Sequence, residues 1–75
     1  MLKRYALVSA RPESIAAYLP DNYQVIGSVD GETVIGGRDV ADWTLDAYVI
    51  PRLASGLYSA TEIDLSHPAF KRLPD

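Results

Sequence analysis

Asp30-Gly31 stands between two runs rich in β-forming residues, Tyr23 to Val29 and Glu32 to Arg38. Asp-Gly supplies the positive φ angles of a type I′ turn, so the pair commits the middle of the chain to a β-hairpin. A two-residue loop sets Ile26 opposite Ile35 and Val25 opposite Gly36. A three-residue loop with a bulge sets Ile26 opposite Val34 instead. Gly36-Gly37 in the second run points to a bulge or a close backbone approach.

The elements on either side follow from this hairpin. Residues 2–9 read as a strand with Tyr5, Leu7 and Ser9 on one face and Ala6 and Val8 on the other. Both faces are apolar, which suits an interior strand. Pro12 at a first helical position, with Glu13 beside it, starts a short helix whose apolar face is Ile15, Tyr18 and Leu19. Pro20 ends it. A second helix begins near Asp42 or Thr44 and carries Leu45, Tyr48, Val49, Leu53 and Leu57 at helical spacing. Pro51 inside it removes a backbone hydrogen bond and kinks or splits it, and Gly56 is a C-cap.

Beyond Gly56 two patterns compete. Ser59-Ala60-Thr61-Glu62 has capping-box spacing, while Leu57, Ser59, Thr61, Ile63 and Leu65 alternate as a strand would. Ser66-His67-Pro68 opens a last short helix or tail over 66–75. The expected fold is a single α+β domain of order β-α-β-β-α, with a three-stranded antiparallel sheet, helices packed on one face and a short C-terminal tail.

A 75-residue chain buries only about 60% of its unfolded surface. With no Cys and one His, neither disulfides nor an all-protein zinc site can support it. That points to self-association, with a homodimer as the expectation. No secretory segment and no membrane-spanning apolar run is visible, so the chain reads as cytoplasmic with no membrane partner.

The net charge of −3 is unevenly spread. Residues 1–12 carry Lys3, Arg4 and Arg11 without an acid, whereas residues 13–46 carry seven acids against Arg38 alone. The middle of the chain therefore has the wrong sign for nucleic acid.

The chemistry-bearing residues assemble no catalytic set. His67 has no thiol to activate, and its neighbour Ser66 is adjacent in sequence rather than across a site. Asp39, Asp42 and Asp46 surround the start of the second helix. They serve there as caps and dipole partners, or else hold a divalent ion or face a basic partner. The glycines lack the Gly-Lys-Ser/Thr continuation of a phosphate loop. No cofactor is implied.

Aromatic residues and Arg anchor protein interfaces, which makes Trp43, Tyr58 and Arg52 candidates beside the three Asp residues. Tyr5, Tyr18 and Tyr48 fall on core-facing stripes. Trp43 either staples the helix start or projects as an anchor. Arg52, next to Pro51, reads on its own as a solvated charge.

The stretch Val34-Ile35-Gly36-Gly37-Arg38-Asp39, with Asp42-Trp43-Thr44-Leu45-Asp46 and the run from Tyr48 to Leu57, resembles small proteins of actinobacteria and their phages. The resemblance covers the middle third of the chain. It implies a habitat and transfers no active residue. Arg outnumbers Lys five to two and Asn occurs once, as GC-rich coding tends to give.

The preferred expectation is a non-enzymatic protein-binding module, in the form of a phage or prophage accessory protein acting on a host protein. The alternatives are a homo-oligomeric assembly protein and a small metal-dependent enzyme built on Asp39, Asp42 and Asp46.

Overall fold

A computed structural model of the chain describes residues 2–38 and 44–73. Its elements are strand β1 (Leu2–Val8), helix α1 (Pro12–Ile15) continued by a 3-10 turn (Ala16–Tyr18), and strands β2 (Tyr23–Val29) and β3 (Glu32–Arg38). A π-helical turn (Leu45–Val49) then runs into helix α2 (Ile50–Ser55), followed by strand β4 (Ala60–Ile63) and helix α3 (Ala69–Arg72).

The sheet has four strands in the order β2-β3-β1-β4, all antiparallel, where three were expected. The added strand is Ala60–Ile63, which lies along β1 with Tyr5 opposite Ile63 and Val8 opposite Ala60. An interior strand has backbone donors and acceptors on both edges, and all of them need partners. β3 takes one edge of β1 and β4 the other. Ser9 N–H extends this ladder by donating to Ser59 C=O at 2.8 Å.

The helices also differ from expectation, because they cover both faces of the sheet. On one face Ala6, Val8, Tyr23 and Ile35 meet Ile15, Leu45, Val49 and Leu53. On the other, Val34 and Ile63 bury Ala69, with Tyr5, Leu7, Ile26, Phe70 and Leu73 packed around them. The expected tail is therefore a short helix with a packing role. Tyr5 and Leu7 give β1 a second apolar face that water would otherwise wet, and α3 removes it. Tyr5 and Phe70 meet edge to face, with centroids 5.3 Å apart.

The hairpin turn has the two-residue form, with Asp30 at φ 53°, Gly31 at φ 80° and Val29 opposite Glu32. Neither expected register holds further along. Val25 faces Ile35 and Gly27 faces Val34, so Ile26 is bulged out of the ladder. The extra residue turns Ile26 toward the α3 side of the sheet, where it packs. The expected close approach is at Gly37, which lies directly across from Tyr23.

Pro51, expected to kink or split the second helix, does not split it. Val49 and Ile50 both keep right-handed helical angles, and the preceding turn widens so that Ile50 N–H donates to Leu45 C=O. A wider turn relieves the proline ring of the clash with the carbonyl four residues back. It also sets the buried line at Leu45, Val49 and Leu53, leaving Tyr48 42% exposed rather than in the core. Among the described residues, no helix is long and apolar enough to cross a membrane.

Candidate interaction surface

Helix α2 ends in a Schellman arrangement. Tyr58 N–H donates to Leu53 C=O at 3.0 Å and Leu57 N–H to Ala54 C=O at 2.9 Å. In this motif the residue after the C-cap is left-handed and is usually glycine. Here Gly56 occupies the C-cap, at φ −95°, and Leu57 takes the left-handed position, at φ 67°. Its side chain is 94% exposed. A left-handed conformation costs an L-residue about 1–2 kcal/mol. Nothing in the fold recovers that cost through burial of the leucine.

Beside this turn the aromatics converge. Tyr18 arrives from the 3-10 turn and packs over Gly56, where an added Cβ would stand 2.7 Å from its Oη. Tyr58 meets Tyr18 edge to face, with centroids 5.5 Å apart. Arg52 lies one helical turn beyond Tyr48 on the exposed side of α2, and its guanidinium carbon is 5.9 Å from the ring centres of both Tyr18 and Tyr48. Cations at that distance are attracted by the ring quadrupole. The Arg52 guanidinium makes no hydrogen bond or ion pair to another described residue. Half-buried Tyr18 and Tyr58 with exposed Tyr48 and Arg52 thus form one cluster, and Leu57 directly precedes Tyr58 in the turn.

The expected site residues divide accordingly. Arg52 and Tyr58 meet on this surface. Asp46 lies elsewhere, exposed, with its carboxylate 3.8 Å from Arg4, which also holds Glu62 through two short bonds of 2.6 and 2.7 Å. A carboxylate directed to a guanidinium is a poor start for a metal site. Asp39, Asp42 and Trp43 lie outside the described residues. Among those described, no group of three or more His, Asp or Glu side chains is placed to share a metal ion.

His67 supports the local backbone, since its Nδ1 accepts from Ala69 N–H at 3.0 Å at the start of α3. Asp64, two residues before Ser66, accepts from the Ser66 hydroxyl and from Ser66 N–H, and these bonds lower its pKa below the usual 3.8. Tyr23 is held in its neutral form by burial, partly offset by Arg4.

Sequence reasoning missed Tyr48 and Leu57 as surface residues, whereas Tyr18, expected on a core-facing stripe, is half-buried and packs against the core. The available signals were the i, i+4 spacing of Tyr48 and Arg52, and a leucine directly after a C-cap glycine. No family model, curated protein or solved structure matches this chain.

Proposed function

We propose that this chain is a non-enzymatic protein-binding module that meets its partner through Leu57 and the Tyr18–Arg52–Tyr48–Tyr58 surface. The observation that carries the reading is Leu57, an apolar side chain held in a strained backbone conformation and presented almost wholly to solvent. Strain at an exposed position is retained where function needs it. Tyr and Arg are the residues that dominate binding energy at protein interfaces, and here Tyr58 follows it in the chain and Tyr18, Arg52 and Tyr48 cluster with Tyr58. The resemblance of the middle third to actinobacterial and phage proteins suggests an accessory protein acting on a host protein in the bacterial cytoplasm.

Site-specific photo-crosslinking tests the proposal. A benzophenone amino acid placed at Tyr48 or Leu57, in actinobacterial cells, should give a discrete adduct with another protein. The same group at exposed Lys71, on the α3 side, should give none. Adducts of equal yield from all three positions, or from none, would refute it.

A second reading is homodimerisation along β2, and one observation favours it. β2 is an outer strand of the sheet, carries no charged side chain between Tyr23 and Val29, and leaves Val25 exposed. An uncharged outer edge is open to pairing with a second copy. Light scattering over a wide dilution series tests it, and a constant single-chain mass would remove it.

A further inference from the structure

We infer that the surface around Arg52 takes a protein segment in which a single Asp or Glu adjoins a bulky apolar residue, the carboxylate seating on the Arg52 guanidinium and the apolar group against Leu57 and Tyr48. The inference rests on the protein-binding reading above and specifies its partner.

Two features point to a carboxylate. Arg52 packs against two tyrosine rings, each centred 5.9 Å from its guanidinium carbon. Contact with two rings limits the conformations of a long side chain, so less freedom is lost when a ligand binds. Its planar fork of N–H donors makes no hydrogen bond or ion pair with a described residue, and that fork matches a carboxylate in a bidentate pair.

The charge around it sets the size of the acidic element. Arg52 is the single Lys or Arg in the sequence between Arg38 and Lys71, in a chain of net charge −3. Recognition of a phosphorylated segment generally uses several arginines. A polyanionic partner would be repelled by the chain as a whole. One cation flanked by apolar surface instead matches one carboxylate flanked by apolar surface. Leu57 and the exposed part of Tyr48 supply the apolar half.

The test is a random-peptide display selection against the full chain, followed by fluorescence anisotropy of the enriched peptides. Enriched sequences should carry an Asp or Glu beside a Leu, Ile, Met or aromatic residue. Arg52→Gln in the chain, or acid to amide in the peptide, should each weaken binding about tenfold or more, with little further loss when combined. Arg52→Lys should fall between, because it keeps the charge and loses the fork.

Binders indifferent to Arg52→Gln but lost on Leu57→Gly would overturn the carboxylate and leave the protein-binding surface standing. So would binders that tighten when phosphoserine replaces their acid. Binders indifferent to both substitutions, or a selection yielding none, would overturn the surface and the inference together. Melting curves of Arg52→Gln and Arg52→Lys matching the parent chain exclude loss of fold as the cause.

Discussion

The ring of Tyr23 lies flat across the Cα of Gly37 on the neighbouring strand, so that a Cβ at residue 37 would stand 2.6 Å from Tyr23 Cζ. The ring is buried, 5% exposed, in the cluster that also holds Ile35, Leu45 and Leu53. A ring buried in that cluster retreats only by displacing its neighbours. Gly37→Ala should therefore destabilise the chain by about 1–3 kcal/mol, the usual cost of overpacking a core. The urea midpoint, compared at equal slope, reads this directly, and an unchanged midpoint would mean the ring is not where we place it.

The same ring carries a hydroxyl that is buried and finds no hydrogen-bond partner among the described residues. Removing an unsatisfied polar atom from a buried site spares its desolvation cost, so Tyr23→Phe should be neutral or stabilising by about 1 kcal/mol. Burial also raises the Tyr23 pKa above 10.0. A folded pKa above the unfolded one gives a contribution that is complete below about pH 10 and is lost as pH rises through the folded value. The phenylalanine variant should lose less stability than the parent between neutral and strongly alkaline pH. Parallel losses in the two proteins would contradict this.

At the hairpin, Gly31 has φ 80° and open space around the position of a Cβ. A substitution there meets no atom and reports backbone strain alone. Gly31→Val should cost about 1–3 kcal/mol, since a β-branched residue is poorly tolerated at positive φ. A melting temperature equal to that of the parent would rule out the two-residue turn.

The turn before α3 has an acid-side signature. Asp64 has a pKa lowered from 3.8, first by the Ser66 hydroxyl and then by Ser66 N–H. A folded pKa below the unfolded one gives a contribution present above the unfolded value and lost as pH falls through the folded one. Ser66→Ala removes the larger cause and keeps the smaller. Carboxyl titration by NMR should then show the Asp64 pKa moving up toward 3.8 without reaching it. An unmoved pKa would mean the hydroxyl bond is absent in solution.

Much of this fold is legible in the sequence where a local rule decides it. Asp30-Gly31 specified the turn, Pro12 the start of α1, and the two apolar faces of residues 2–9 an interior strand, which runs over Leu2–Val8. β4 was not legible, because four residues with competing capping-box and alternating patterns become a strand only by pairing with β1, far away in sequence. The side taken by α3 was not legible either. Four residues carry no readable stripe, and the need for cover came from Tyr5 and Leu7 at the other end of the chain. Tyr48 read as a core residue because helical spacing was assumed to be regular, and the π turn ahead of Pro51 rotates it outward. Of the surface proposed for binding, Arg52 and Tyr58 were visible by residue type. Leu57 was hidden because it continues the Leu45–Leu53 stripe in sequence while the helix has already reversed direction.

The central claim is that Leu57 is kept at a strained position for the sake of a partner, and Leu57→Gly tests it most directly when stability and binding are measured on the same protein. Glycine adopts the left-handed conformation without penalty, and the leucine side chain is already 94% exposed, so no burial is lost. The variant should be more stable than the parent by about 1 kcal/mol, a rise of about 5 °C in melting temperature. It should also fail to retain the protein that the parent cross-links through residue 48. Higher stability with partner retention unchanged would contradict the account, for the strain would then serve no binding role.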